Sequence, residues 1–213
     1  MPDFGEIAER LRRSTVQVFA AGGRRGGGSG VIWGADGLII TNAHVATSPS
    51  LGIELFDGRR FEALLDTRDS RRDLAALRIN VTGLPAAAAG DSTALRAGEL
   101  AIAIGNPLGF AGALSTGVIH SLGALPGMGR QKWIRATVRL APGNSGGPLA
   151  NASGQVIGIN TAIVHGLGIA VPAKAVGEFL RRGNLPRLGV VLRPVPVGSA
   201  RLGLLLLEVE SGS

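Results

Sequence analysis

Glycine and proline break this chain into short pieces from end to end. There are 34 glycines and 11 prolines in 213 residues, above average usage, and they are spread along the chain, not gathered in one linker. Turn signals recur about every 8–12 residues, the rhythm of a sandwich or of barrels. Between them lie short β-rich stretches. Val16, Val18 and Ala20 alternate with Thr15, Gln17 and Phe19, and further pieces follow at Gly30–Trp33, Leu38–Thr41 and Gly52–Phe56. Asp57-Gly58 is a strong hairpin signal leading into Arg60–Leu65. The pattern continues at Leu74–Ile79, Glu99–Ile104, Leu114–Ser121, Trp133–Leu140, Gln155–Ile163 and Gly168–Val171. Two segments read as helices. Glu6–Arg13 has Ile7 and Leu11 four apart among charges, and Pro172–Arg182 carries a proline near its first turn and Gly183 after its end. The Ala-, Gly- and Ser-rich stretch around Leu84 to Ala97 separates two runs of six or so strands. The expected architecture is therefore all-β, with two β-barrels and a cleft between them.

Composition narrows the function classes. Apolar residues make up 45% and aromatics 4%, so the core is built from Val, Ile, Leu and Ala. The formal charge is +7, but the arginine pairs (Arg12-Arg13, Arg24-Arg25, Arg59-Arg60, Arg71-Arg72, Arg181-Arg182) are scattered. A nucleic-acid binder concentrates such charge and interleaves it with aromatics, so nucleic-acid binding is not expected. There is no cysteine, which removes disulfides, thiolate catalysis and Cys-ligated metal sites. The first residues show no basic n-region or apolar h-region, so no signal peptide is visible. The longest apolar run, Leu202 to Leu207, is far short of a membrane span of about 20 residues. The Gly/Arg loop over Gly22 to Gly30 lacks the Gly-Lys-Ser/Thr ending of a phosphate-binding loop.

Chemistry concentrates in Gly143-Asn144-Ser145-Gly146-Gly147-Pro148-Leu149. A serine between glycines in a tight turn has an exposed hydroxyl beside free backbone N–H groups. Acyl transfer requires that pairing: a nucleophile, and donors aimed at the oxyanion on the attacked carbonyl. A serine hydroxyl also needs a base within reach and a group to orient that base. Upstream stand His44, in Thr41-Asn42-Ala43-His44-Val45, and Asp73, in Arg71-Arg72-Asp73-Leu74. The order His, Asp, Ser is that of the chymotrypsin-type triad. Asp66 and Asp69 compete with Asp73, but an apolar strand starts directly after Asp73 and can fix its carboxylate. His120 and His165 are read as structural, and the three histidines show no metal-ligand spacing.

These residues, with several further stretches in order, resemble the HtrA (Deg) family of trypsin-like serine proteases. The stretches are Gly28-Ser29-Gly30-Val31-Ile32, Asp36 to Val45, Asp73 to Ile79, Gly90-Asp91-Ser92, Ala103-Ile104-Gly105-Asn106-Pro107-Leu108-Gly109 and Gly158 to Ile163. The resemblance covers about residues 15–185. It implies two antiparallel six-stranded barrels, about 15–90 and 97–171, and a helix at 172–182. It also implies an N-terminal segment, 1–14, that serves oligomerisation. Residues 186–213 resemble the start of a PDZ domain and are too few to complete one. By the same resemblance Ser145 is the nucleophile, His44 the general base and Asp73 its orienting carboxylate. Gly143 and Ser145, assisted by Asn144, make the oxyanion hole.

Two specificity readings stand. Counting six back from the serine reaches Arg139, a cation suited to an acidic P1 side chain. The family resemblance points instead to Leu140, with Ile163 opposite and Gly168-Ile169 nearby, a pocket for a small or medium aliphatic P1. A buried unpaired arginine is costly, which favours the aliphatic pocket. Thr161, Ala162 and Ile163 are expected to pair with substrate backbone by strand addition. The stretch Thr137 to Ala141 and the short loop Val164-His165-Gly166-Leu167 depart from the family pattern where it shapes specificity and the oxyanion hole. The implied activity is ATP-independent endoproteolysis of misfolded or extended protein in quality control, without a cofactor. The resemblance also implies an extracytoplasmic setting and a homotrimer, to which Phe4, Ile7, Leu11 and Phe19 would contribute. The alternative is a proteolytically silent chaperone or binding module on the same fold.

Overall fold

The computed structural model describes residues 3–20, 27–106, 112–128, 131–183, 190–197 and 201–209. Its first unit runs to Leu180. The chain opens with helix α1, Phe4–Arg13, held by a reciprocal cap. The Asp3 carboxylate accepts the Glu6 N–H at 2.8 Å, and Glu6 reaches back to the Asp3 N–H at 3.2 Å. This capping box satisfies two donors that helix geometry leaves orphaned. Ile7 and Leu11, on one face, are buried in the core.

Six strands then close the first barrel: β1 (Thr15–Ala20), β2 (Gly27–Ile32), β3 (Leu38–Thr41), β4 (Ser50–Glu54), β5 (Arg60–Asp69) and β6 (Leu74–Arg78), in the order β1-β2-β3-β6-β5-β4. Strand β1 alternates because one face looks into the barrel. Val16 and Val18 are fully buried there beside Ile32, Ile39, Ile53 and Leu77. The second barrel closes as β10-β11-β12-β9-β8-β7, from β7 (Leu100–Gly105), β8 (Ala113–Gly123), β9 (Trp133–Ala136), β10 (Pro148–Ala150), β11 (Val156–Val164) and β12 (Leu167–Pro172). Its interior holds Ala101, Ala103, Ile119, Ile134, Leu149 and Ile157. A third buried cluster draws on both barrels, with Val31, Ile40 and Leu74 from the first, Ile102, Ile104 and Ile159 from the second, and Ile7 and Leu11 from α1. The two barrels therefore share apolar surface that neither covers alone.

The two antiparallel six-stranded barrels agree with the expectation, and several elements differ in detail. Strand β10 was not anticipated, because its three residues directly follow the Gly-rich turn and open on a proline. The strand expected over Trp133–Leu140 stops at Ala136. Beyond it the chain bonds singly, Thr137 N–H to Val118 C=O and Arg139 N–H to the Ser115 hydroxyl. Helix α2 covers Ala173–Gly183, and Pro172 ends β12. The Lys174 N–H is capped by the Ser92 hydroxyl at 3.0 Å, a cap from 82 residues away that no local pattern announces. Of the Gly/Arg loop read over 22–30, the part up to residue 26 lies outside the described residues, and Gly27–Gly30 belong to β2. Residues 107–109 of the Asn106-Pro107 stretch also lie outside them. The second unit, residues 181–213, contains an antiparallel pair, β13 (Val190–Val197) and β14 (Arg201–Val209). The remainder of the PDZ-like tail falls outside the described residues.

Burial distinguishes the apolar residues of α1. Leu11 is 1% exposed and Phe4 45%. Leu11→Ala is expected to lower stability by about 2–5 kcal/mol, as for a large-to-small change in a closed core. Phe4→Ala is expected to stay within about 0.5 kcal/mol. Urea midpoints of the two variants check this.

Candidate active site

His44 sits in a turn directly after β3. The Asn42 C=O accepts the N–H groups of Val45 and Ala46, both at 3.1 Å, and curls the chain so that His44 leaves the barrel. Asp73 stands at the mouth of β6, after a turn in which the Asp69 carboxylate accepts the Arg71 and Arg72 N–H groups at 2.9 and 3.1 Å. Asp73 has φ +54°, one of two non-glycine residues with positive φ among those described. Asp tolerates this left-handed region better than most residues. The backbone there is held from outside, because the Asn42 side-chain amide donates to the Asp73 C=O at 2.9 Å.

The result is a close pair. His44 Nδ1 lies 2.8 Å from Asp73 Oδ2 and 3.0 Å from Oδ1, and the His44 main-chain N–H donates to Oδ1 at 3.0 Å. The Thr161 hydroxyl donates to Oδ2 from the second barrel. An ionised carboxylate only accepts, so Nδ1 carries the proton and Nε2 is left as a proton acceptor. Burial pushes the Asp73 carboxyl up, but bonds from the His44 ring, the Thr161 hydroxyl and the His44 N–H outweigh it and hold the group below the usual Asp range. Asp69, a competitor in the sequence, is instead paired with Arg72 at 2.6 Å.

Ser145 lies in the turn before β10, where Gly143 (φ +106°) and Gly146 (φ +86°) make the left-handed bends. A Cβ on Gly146 would stand 2.0 Å from the Ser29 carbonyl oxygen, so only glycine fits. The Asn144 N–H donates to the Ala141 C=O, and the Asn144 side-chain oxygen accepts the Ala141 N–H, both at 3.0 Å. The Asn144 side-chain oxygen is thus engaged in shaping the turn. Among the described residues, no hydrogen bond is made by the N–H of Gly143 or of Ser145. The Ser145 hydroxyl donates to the Thr161 C=O at 3.1 Å. No bond joins it to His44 among the described residues, yet His44, Gly143 and Ser145 line one cleft with Phe19, Val45 and Pro142.

Thr161 meets both Asp73 and Ser145 because it sits on a β-bulge. Asn160 pairs with Ala170 and Ala162 with Ile169, which leaves Thr161 unpaired between them. From the sequence Thr161 reads only as a strand-addition residue, and its two contacts at the site carry no local signal. Ile163 is 54% exposed. Leu140 is partly buried, and a Cβ on Gly168 would touch it at 3.2 Å. Ile169 is buried in the core. Arg139 is exposed, so it is not the buried, unpaired cation that an inward S1 position would demand. His165 and Gly166 form a tight turn between β11 and β12, with φ +48° and +79°. Among the described residues, no group of three or more His, Asp and Glu could hold a metal ion.

A double barrel with this cleft defines the trypsin-like class of peptidase, and the trypsin-like peptidase domain family matches residues 28–159. The chain is 37% identical over 185 residues to the periplasmic serine endoprotease DegP of Escherichia coli (strain K12), covering 78% of this chain and 39% of that one. It is 39% identical over 220 residues to HhoB of Synechocystis sp., covering 89% and 53%. A solved structure of the HtrA-type protease AlgW with a tripeptide superposes with a TM-score of 0.79 at 33% identity, covering 90% of this chain and 69% of that one. The chain belongs to the trypsin-like peptidases of HtrA type. It spans about half the length, or less, of the curated relatives it matches.

The Asp73 environment fixes a pH dependence. Its carboxyl titrates lower in the folded chain than in the unfolded one. Its contribution to stability is therefore complete above the usual Asp range and is lost as pH falls below it, through the folded value. Asp73→Asn is expected to lower stability at neutral pH, with the difference from wild type shrinking as pH drops below about 4. Denaturant unfolding of both proteins between pH 3 and pH 7 tests the sign.

Proposed function

We propose that this chain is the proteolytic part of a serine endopeptidase acting on extended or misfolded polypeptide without ATP. The observation that carries the reading is the His44–Asp73 pair, 2.8 Å at its closest, opening on the same cleft as Ser145, whose N–H and that of Gly143 make no hydrogen bond among the described residues. His44 is half exposed, its side chain at 51%, while Asp73 is sheltered at 20%. That suits a base that must meet substrate and an orienting group that must not.

In this mechanism the Ser145 hydroxyl turns from the Thr161 carbonyl toward His44. Nε2 takes its proton as Oγ attacks the scissile carbonyl carbon. The oxyanion that forms is held by the N–H groups of Gly143 and Ser145, with Asn144 keeping their turn in shape. The protonated imidazole, stabilised by Asp73, passes the proton to the leaving amine. Water, activated by His44, then releases the acyl group and restores Ser145. Ala162 and Ile163 would pair with substrate backbone, and Leu140, Ile163 and the Gly168 backbone would take an aliphatic P1 residue; Ile169, expected beside them, points into the core instead, because successive strand residues face opposite ways. Arg139 is exposed, which favours that pocket over an acidic one. Solved structures of HtrA-type protease AlgW with a decapeptide and with a tripeptide are compatible with a polypeptide ligand.

The names of periplasmic relatives favour an extracytoplasmic setting, and the family resemblance implies a role in protein quality control. We place self-association, a homotrimer by family resemblance, on residues 1–14, with Phe4 as its exposed apolar residue. Ile7 and Leu11, expected to contribute, are engaged in the core instead. Residues 15–185 are read as the protease domain and 186–213 as the start of a PDZ-like module. The hydroxyl bond from Ser145 to Thr161 favours one rival, a binding module that holds unfolded chains without cutting them.

A fluorophosphonate probe decides between the two. Stoichiometric labelling at Ser145, lost in His44→Ala, is expected of the protease; a folded protein that binds unfolded casein without labelling or cleaving would establish the rival. On peptide substrates, kcat/KM is expected to be at least about tenfold higher for Val or Ala at P1 than for Glu. Arg139→Gln is expected to leave that ratio unchanged.

A further inference from the structure

Two signature stretches have no role in this mechanism: Gly28-Ser29-Gly30 in β2, and Gly105-Asn106 at the end of β7. They converge behind the Ser145 turn. Ser29 is fully buried. Its N–H donates to the Ser145 C=O at 2.7 Å, and its hydroxyl donates to the Gly143 C=O, also at 2.7 Å. The same hydroxyl oxygen accepts the Asn106 N–H at 2.9 Å and the Asn106 side-chain amide at 3.3 Å. The backbones are correspondingly close: a Cβ on Gly28 would stand 2.7 Å from the Ser145 carbonyl oxygen, and one on Gly105 2.9 Å from Asn144 Cα.

We propose that Ser29, oriented by Asn106, is the positioning residue of the oxyanion hole. This rests on the reading of the Gly143 and Ser145 N–H groups as the oxyanion donors. A hydroxyl has one proton and two lone pairs. Both acceptor sites of Ser29 face Asn106 N–H groups, so its proton is directed to Gly143. One residue of the first barrel thereby holds the two carbonyls, of Gly143 and Ser145, that bracket the turn in the second. The Gly143 carbonyl shares its peptide plane with the Asn144 N–H, and the Ser145 carbonyl with the Gly146 N–H, so Ser29 holds the two planes that adjoin those carrying the Gly143 and Ser145 N–H groups. Gly143 adopts φ +106° and has no Cβ to restrain it, so the bond from Ser29 to its carbonyl, with the Asn144 N–H bond to Ala141, limits rotation of the peptide plane that Gly143 shares with Asn144. Asn106 is itself secured, donating to the Val16 C=O at 3.0 Å and accepting the Gly112 N–H at 2.9 Å.

Removing the hydroxyl frees the Gly143 carbonyl and strips Asn106 of an acceptor. Ser29→Ala is expected to lower kcat about ten- to a hundredfold with KM within about twofold, because the donors act mainly in the transition state. Affinity for a peptide boronate, whose adduct is tetrahedral, is expected to fall with kcat. Hydrogen exchange in the peptide covering 141–147 is expected to quicken. Ser14→Ala serves as control: it removes a buried hydroxyl that donates to the Leu11 C=O, and is expected to cost stability while leaving kcat and exchange in 141–147 unchanged. If Ser29→Ala does not fold, Ser29→Cys retains a weak donor and is expected to lie between wild type and a full loss. A folded Ser29→Ala with wild-type kcat, boronate affinity and exchange overturns the proposal, as does a fall in kcat matched by Ser14→Ala. An inactive wild type would overturn the protease reading alone, and exchange in 141–147 would still test the hold of Ser29 on the turn.

Discussion

The Thr161 hydroxyl on Asp73, and the Ser29 N–H and hydroxyl on the Ser145 and Gly143 carbonyls, are hydrogen bonds from one barrel to the other. The site depends on them. His44 and Asp73 belong to the first barrel and Ser145 to the second, so no barrel by itself assembles the chemistry. Shared apolar burial of Ile40, Ile102 and Ile104 brings the barrels together, but burial is non-directional. Hydrogen bonds to fixed partners set the mutual register to a fraction of an ångström.

The backbone around the site is bent where regular strands would carry residues past one another. Asp73 takes a left-handed conformation, Thr161 stands on a bulge, and Gly143 and Gly146 turn the Ser145 loop. Such conformations persist only where the surroundings over-determine them. Here the surroundings are visible: the Asn42 amide on the Asp73 carbonyl, the Asn144 side chain closing on Ala141, and β2 packed against the Ser145 turn. Family signatures that look like scattered conservative stretches thus form one continuous support behind the reactive groups.

Much of this was legible in the residues. Evenly spaced turn signals and short alternating stretches indicated two runs of strands. The stretch around Leu84 to Ala97 reads as their division, because it is rich in Ala, Gly and Ser and falls between the two runs. His44, Asp73 and Ser145 stood out because acyl transfer asks for those residue types next to small, turn-forming neighbours. Preference for Asp73 over Asp69 came from the apolar strand that follows it. Strand β10 was missed because its pairing with β7 and β11 depends on partners far along the chain, and the end of β9 was overrun for the same reason. The apolar spacing of α1 correctly marked a buried face, but not that Ile7 and Leu11 would be covered by this chain's own core.

What the sequence alone determined is local: where the chain turns, which faces are apolar, and which side chains are candidates for acid, base and nucleophile. Local signals suffice there because dihedral preference and hydrophobic periodicity act over a few residues. Only the tertiary structure decided that Thr161 reaches both Asp73 and Ser145, that Arg139 is exposed, and that Ser29, bonded by Asn106, donates to the carbonyls of the Ser145 turn. Such contacts join residues far apart in the chain, 114 positions for the Ser29 hydroxyl and the Gly143 carbonyl. They depend on barrel closure and on how two barrels pack, and no pattern within a short window encodes that geometry.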